Sequence, residues 1–176
     1  MVKFLSPHFT LEELTVSDTA KKYKISNLPT PIHEKTLVHT CQYLLEPLRA
    51  LLNEKYKEYK GKKVKDVSIR ITSGYRSATL NSKVGGAKTS EHLRGSAADI
   101  LVYINTIDGQ RLQVPPLDIY RLIKSWVKEG KLSVNQCIHE VSGSSVWTHV
   151  SHHPSGRSCD KKEFLIYKNG KYTLDS

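Results

Sequence analysis

The sequence lacks the long apolar runs that membrane proteins carry. A membrane-spanning helix needs about 18 or more consecutive apolar residues, whereas the densest apolar stretch, residues 44–52, is interrupted by Glu46, Pro47 and Arg49. The N-terminal segment reaches Pro7, His8 and two glutamates before the apolar core of a signal peptide could form. We therefore expect a cytoplasmic protein with no signal peptide and no membrane partner.

Cysteine is also scarce. The three cysteines, Cys41, Cys137 and Cys159, are scattered along the chain without Cys-x-x-Cys spacing. An odd and scattered set fits neither a disulfide framework nor a cysteine-based zinc site, so we expect reduced thiols.

Internal repeats, low-complexity tracts and breaks in composition are absent from the 176 residues. Hydrophobic residues make up 38% of the chain and charged residues 25%, which is typical of a globular protein rather than a disordered one. We therefore predict a single domain over residues 1–176.

Basic residues outnumber acidic ones, 27 to 17, which gives a formal net charge of +10. Such a charge attracts polyanions, including nucleic acid, anionic membranes and the acidic polymers of bacterial walls. Much of the excess lies in residues 55–65, where a solvated surface is the simpler interpretation. Because no RNA-binding aromatic motif or zinc-finger spacing accompanies these lysines, we expect no specific nucleic-acid partner.

The N-terminal third of the chain has helical patterns. Thr10 and Glu13 form a capping box that opens a short helix, and Ser17 or Asp18 can cap a second helix that ends at Tyr23. Apolar residues then keep a spacing of three and four over residues 32–60, which predicts a long helix with a kink or break at Pro47.

The remainder of the chain is richer in strand patterns, with one further helix predicted over residues 117–129. Residues 73–95 are rich in Gly, Ser and Asn and predict a loop with at most one helical turn. Asn169-Gly170 is a strong signal for a hairpin. Strands are predicted over residues 67–72, 98–104, 134–141, 146–151, 164–167 and 171–174. Helices that precede antiparallel strands indicate the α+β class.

Two histidines and an aspartate have the pattern of a metal site. His92 lies at the mouth of the predicted sheet, and Asp99 begins the following strand. Zinc accepts imidazole nitrogen and carboxylate oxygen, and a catalytic site needs three protein ligands and an open position. His149, on a later strand, is the candidate for the third ligand. The alternative is a loop histidine and an aspartate that caps backbone amides.

Three motifs in this order resemble the M15 family of zinc peptidases, which includes D-Ala-D-Ala carboxypeptidases and phage endolysins. The first is Ser73-Gly74-Tyr75-Arg76. The second has the pattern Ser-x-His-x-x-Gly-x-Ala-x-Asp and is met by Ser90, His92, Gly95, Ala97 and Asp99. The third is Trp147-x-His149. The resemblance spans roughly residues 9–151 and is to the short single-domain branch of the family.

The resemblance implies one zinc ion per chain, bound by His92, Asp99 and His149. It implies a small antiparallel sheet that carries this site, with the N-terminal helices packed on it, as in hedgehog and DD-peptidase folds. The implied reaction is the cleavage of peptidoglycan peptides by a monomer, either as a D-Ala-D-Ala carboxypeptidase or as an L-Ala-D-Glu type endopeptidase. A phage lysin of this kind would accumulate in the host cytoplasm and then be released to the cell wall.

The general base needs a separate argument, because many relatives place Glu or Asp where this chain has Val146. If residues 142–145 form a hairpin loop, Glu140 pairs with Trp147, and Ile138 stands opposite His149. Glu140 and His149 are then diagonal neighbours on one face, roughly 7–8 Å apart. A slip of one residue would put Glu140 on the opposite face. His139 should face away, and the other candidates for the base are Glu91, His152 and His153.

The resemblance assigns Arg76 to the carbonyl oxygen or the carboxylate of the substrate, where its planar guanidinium can donate two hydrogen bonds. Ser90, Tyr75 and Trp147 are the predicted substrate contacts, although Trp147 could instead belong to the core. Two other functions compete with the peptidase. One is a catalytically silent domain of this fold that binds the wall or forms part of a phage particle, and the other is a basic nucleic-acid binder.

Overall fold

Two short strands and two short helices open the chain. The computed structural model describes residues 2–155 and 157–175. The opening elements are β1 (Phe4–Ser6), β2 (Phe9–Thr10), α1 (Leu11–Thr15) and α2 (Asp18–Tyr23). The capping box is present as predicted, with the Thr10 and Glu13 side chains each accepting a backbone N–H from the other residue. Ser17, rather than Asp18, caps α2.

The long N-terminal helix changes its winding just before its proline. It comprises α3 (Pro31–Thr40), a π-helical segment (Cys41–Leu45) and α4 (Glu46–Lys55). Pro47 lacks a backbone N–H and lies in the first turn of α4, so the wider turn before it accommodates the missing hydrogen bond without a break. The predicted end at Lys60 is wrong, because the next strand, β3 (Glu58–Tyr59), pairs with Lys62 and Lys63.

The rest of the chain builds an eight-stranded sheet. Its other elements in chain order are β4 (Lys62–Ser73), α5 (Ala78–Lys83), a 3₁₀ helix (Glu91–Arg94), β5 (Ala97–Thr106), β6 (Arg111–Val114), α6 (Pro116–Lys128), β7 (Gln136–Ser142), β8 (Ser145–Ser151), a 3₁₀ turn (Arg157–Cys159), β9 (Glu163–Lys168) and β10 (Lys171–Leu174). The strand order is β10-β9-β7-β8-β5-β4-β3, and β6 also pairs with β5. The α+β class is therefore confirmed.

The sheet departs from the small antiparallel one that was expected. It has eight strands, and β9 runs parallel to β7. Gln136, at the start of β7, pairs on one side with Ser151 at the end of β8. On its other side it pairs with Glu163 at the start of β9. The connection of residues 152–162 therefore returns the chain to the start of β7, and β9 must follow the direction of β7.

The main hydrophobic core lies on one face of the sheet. Alternate residues of β4, β5, β7, β8 and β9 join the core residues of α3, α4 and α6 in one buried cluster. The N-terminal helices therefore pack on one face of the sheet, as predicted, and α6 covers the same face. The opposite face carries Asp99, Glu140 and His149, with Ile138 and Trp147 beside them, because successive residues of a strand point to opposite sides.

Cys41 and Cys137 are buried in the core, whereas Cys159 is exposed, and all three are free thiols, as predicted. Over residues 2–155 and 157–175, none of the helices has the length and apolar character that crossing a bilayer requires.

Candidate metal centre and cleft

Three predicted ligands meet on the polar face of the sheet. Asp99 on β5 and His149 on β8 are direct partners in the antiparallel ladder. His92 lies in the 3₁₀ helix that leads into β5. This helix ends at Gly95, whose φ of 74° is left-handed, and a Cβ atom there would lie 3.0 Å from the His33 carbonyl oxygen. Glycine therefore lets the helix pack closely against α3 and brings His92 over the strands.

The ligand atoms of these residues converge. His149 Nδ1 lies 2.9 Å from Asp99 Oδ1 and 3.2 Å from His92 Nε2, and His92 Nε2 lies 3.3 Å from the same Asp99 oxygen. All three side chains are buried. Among the residues that the structure describes, this is the one group of three or more His, Cys, Asp or Glu side chains arranged to hold a metal ion.

The separations fit a zinc ion. Ligand atoms at about 2.0–2.1 Å from a tetrahedral zinc lie roughly 3.3 Å from one another, close to the spacings found here. His92 Nδ1 is 2.6 Å from the Gly74 carbonyl oxygen and donates to it, so the lone pair of Nε2 faces the cluster. A backbone acceptor behind a histidine ligand fixes its tautomer in zinc sites in this way.

The charges suit a cation as well. Burial lowers the pKa of His92, so this imidazole is neutral near neutral pH. Burial raises the pKa of Asp99, but its contacts with the His92 and His149 imidazoles outweigh this effect and hold it well below its usual range. Burial likewise lowers the pKa of His149, yet the hydrogen bond and charge of Asp99 outweigh this effect and raise it overall.

Glu140 lies beside this cluster. The predicted register is confirmed, with Glu140 opposite Trp147 and Ile138 opposite His149, although Ser142 and Ser145 also pair, so the turn is shorter than expected. Glu140 Oε1 lies 4.0 Å from His149 Nδ1. Burial and the nearby Asp99 charge raise the pKa of Glu140 to about 7, although His149 and Arg76 oppose the shift.

Arg76 contacts a predicted ligand. Its Nη2 donates to Asp99 Oδ2 at 2.8 Å, and its Nε donates to Ser73 Oγ at 2.9 Å. The turn that carries Arg76 is anchored by Asn27, which bonds to the Tyr75 carbonyl and the Ser77 amide. Arg76 thus orients the carboxylate of Asp99 from the side remote from the histidines, and it also lines the cleft.

The other predicted site residues divide between the cleft and the core. Ser90, Tyr75, Trp147, Glu91 and His153 line the cleft. His152 does not, because its Nε2 bonds to Thr40 Oγ1 at 2.9 Å. His139 packs against Tyr120 of α6, on the opposite face from Glu140, as predicted.

The cleft above the cluster has a volume of about 920 Å³. Its lining includes the start of α2, residues 84–87, 89 and 90, and Leu165, Tyr167 and Tyr172 of the β9–β10 hairpin. Sequence reasoning missed Asn135, which holds Glu91, and the two hairpin tyrosines. Their position depends on the parallel pairing of β9, for which the hairpin signal gives no indication.

A fold with helices on one face of a mixed sheet, and a His-Asp-His cluster in a cleft on the other, defines a candidate metallohydrolase. The family model for peptidase M15 matches residues 7–114, well over half of the sequence, and the chain therefore belongs to the M15 peptidase family. The matched segment contains His92, Asp99 and Arg76 and ends before Glu140 and His149. None of the curated proteins matches the chain.

Proposed function

We propose that the protein is a zinc-dependent peptidase that hydrolyses peptide bonds of bacterial peptidoglycan, with one zinc ion held by His92, Asp99 and His149. As a family, M15 peptidases generally depend on zinc and act on peptidoglycan. The observation that carries the proposal for this chain is the convergence of three buried ligand atoms in an open cleft.

A zinc ion bound there supplies an acidified water and polarises the scissile carbonyl group. Glu140 is the proposed general base. Its carboxylate lies next to the ligand cluster, and its raised pKa of about 7 suits a group that takes up a proton and then gives it to the leaving amine. Glu140 and His149 lie on the same face of the β7–β8 hairpin.

Arg76 is proposed to act at two points. Its bond to Asp99 holds the carboxylate in one orientation. Because the guanidinium also lines the cleft, its remaining N–H groups can donate to the substrate carbonyl oxygen or to a terminal carboxylate. Ser90, Tyr75 and Trp147 border the same space and are the proposed substrate contacts.

The first test is the metal content and the activity of the purified protein loaded with zinc. We expect elemental mass spectrometry to find one zinc per chain. We also expect peptide mass spectrometry to find defined cleavage products of stem peptides. The masses of the products distinguish the two proposed bonds, D-Ala-D-Ala at the peptide end and L-Ala-D-Glu within it.

His92→Ala and His149→Ala should each lose both zinc and activity, because each removes a ligand. His8→Ala is the matched control, since His8 pairs with Glu46 outside the cleft and should leave both unchanged. Full zinc occupancy in the double variant His92→Ala/His149→Ala would contradict the site. Stoichiometric zinc without any cleavage would favour the catalytically silent alternative, a domain that binds the wall or forms part of a phage particle.

A further inference from the structure

The β9–β10 hairpin carries two stacked tyrosines on the wall of the cleft. Tyr167 and Tyr172 are direct partners across the hairpin, and their ring centroids lie 4.7 Å apart. Both side chains line the cleft. The outer one, Tyr172, is 58% exposed. An exposed aromatic ring in a cleft offers a large apolar contact surface together with a polar hydroxyl group.

These tyrosines continue a row that begins at the proposed base. Glu140 is the direct partner of Trp147 on β8 and of Tyr167 on β9, and Tyr167 is the partner of Tyr172. Partners in adjacent strands share a face, so four side chains cross four strands as one row: Trp147, Glu140, Tyr167 and Tyr172. The row leads from Glu140 toward the sheet edge at β10.

The length of the row gives a position on the substrate. Tyr172 lies two strands from Glu140, and strands are spaced about 4.8 Å apart, so the Cα atoms of the two residues are roughly 10 Å apart. An extended peptide advances about 3.3–3.6 Å per residue. Suppose that the scissile bond of an extended peptide lies at Glu140 and that the peptide follows the row. About the third residue from that bond then lies at Tyr172.

We infer that Tyr172, backed by Tyr167, is a specificity-determining residue that contacts an extended peptide about three residues from the scissile bond and favours longer peptides over dipeptides. This inference rests on the proposed function, because it assumes that a peptide bond lies at Glu140. Tyr167 supports the outer ring and keeps it over the cleft. The contact is made to the peptide chain rather than to the glycan strand, because the row begins beside the peptidase centre itself.

The test measures binding in a Glu140→Gln background, where the substrate is not consumed. The ligands are synthetic stem peptides that contain the scissile bond and extend from it by one to four residues on either side. Calorimetry gives the Kd of each peptide. Adding Tyr172→Ala should raise Kd roughly 3- to 10-fold for peptides that extend at least three residues on one side, which is the usual worth of an aromatic contact. Kd for the shortest peptides should not change.

Two variants serve as controls. Tyr172→Phe keeps the ring and should retain most of the affinity for long peptides. Thr173→Ala alters the same exposed strand on its opposite face and should leave every Kd unchanged.

Equal Kd values with and without Tyr172→Ala for all peptides would overturn the inference, as would an equal loss for short and long peptides. A loss confined to intact wall sacculi would also overturn it, because the contact would then be to glycan. Length-dependent binding that requires Tyr172, in a protein that cleaves no peptide when Glu140 is present, would refute the proposed function and the position given relative to a scissile bond, and would keep only the contact between Tyr172 and an extended peptide. Absence of binding by every peptide would overturn both.

Discussion

Glu140 has an environment that brings the uptake and release of its proton into the range of neutral pH. Its carboxylate is largely buried in the row between Trp147 and Tyr167, which disfavours the charged form. The charge of Asp99 acts in the same direction, whereas His149 and Arg76 favour the carboxylate. The pKa of about 7 is the balance of these effects.

Glu140→Gln keeps the size and the polar contacts of the side chain but removes its capacity to accept a proton. We expect zinc to stay bound, because Glu140 is not a proposed ligand, while kcat falls roughly 10²- to 10⁴-fold, the usual contribution of general acid–base catalysis. Metal content and steady-state kinetics on one stem peptide provide the measurement.

Glu129→Gln is the matched control for this change. Glu129 is a carboxylate at the exposed end of α6, paired with Lys131, and its substitution should leave kcat unaltered. A Glu140→Gln variant that turns over at the rate of the unaltered protein with zinc in place would exclude Glu140 as the base. The base would then be sought in Glu91 and His153, which also line the cleft.

At the scale of elements, the turn after β4 links the N-terminal helices to the candidate site. Gly74 lies against α1 so closely that a Cβ atom would be 2.3 Å from the Leu14 carbonyl oxygen, which accepts the Tyr75 amide at 2.7 Å. The Gly74 carbonyl in turn accepts from His92. One turn therefore fixes the tautomer of a proposed ligand and the position of Arg76.

Gly74→Ala should push this turn away from α1, since both atoms in the clash belong to the backbone. We expect a loss of about 1–3 kcal/mol in the free energy of unfolding, which is typical of overpacking. We also expect a fall in kcat/KM of up to about 10²-fold, because small displacements of positioning groups are costly in catalysis. Urea unfolding and kinetics on a stem peptide measure the two effects.

Gly109→Ala is the comparison for this variant. Gly109 has a φ of 84° at a hairpin tip with open space around it, so alanine there costs about 1–2 kcal/mol through backbone strain and should leave kcat/KM unchanged. If Gly74→Ala and Gly109→Ala have the same kcat/KM, the turn does not position the site.

The sequence predicted local elements well, because each depends on residues that are close along the chain. The capping box at Thr10, the core-facing alternation of β4 and the register of the β7–β8 hairpin need only short-range patterns. The parallel pairing of β9 could not be predicted in this way, because it depends on the chain crossing the start of β7 between β8 and β9. The tyrosine wall of the cleft follows from that pairing and was missed with it.

The candidate ligands could be grouped from the sequence because of their motifs, but the contacts of Arg76 could not. Its motif assigned the guanidinium to the substrate, and only the three-dimensional structure shows the hydrogen bond to Asp99. The same is true of His152. Its position three residues after His149 made it one of the alternative candidates for the base, whereas packing turns the ring toward Thr40 of α3.

At the scale of the whole molecule, the net charge of +10 should govern how the protein binds to its proposed substrate, the bacterial wall. The walls of many bacteria carry anionic polymers, which attract a basic protein over distances set by the salt concentration. We expect the fraction of protein that sediments with purified wall sacculi to fall several-fold between about 0.05 M and 0.5 M salt, as the screening length shrinks from over 10 Å to about 4 Å.

Sacculi stripped of their anionic polymers are the control and should bind the protein weakly at both salt concentrations. Zinc content, measured in parallel, should not change with salt, because the ligand cluster is buried. Sedimentation that is independent of salt would show that net charge plays no part in binding to the wall.

The order of the strands along the chain also has a consequence for synthesis on the ribosome. When Asp99 has emerged, the nascent chain holds two of the three candidate ligands, and His149 follows only after β6, α6 and β7. The cleft wall comes later still, since β9 must join the far side of β7 after β8 has paired with its near side. Contacts between such distant segments form late in folding. A chain synthesised only as far as β7 therefore has no complete centre, and any activity of the protein should begin only after β9 and β10 have been translated.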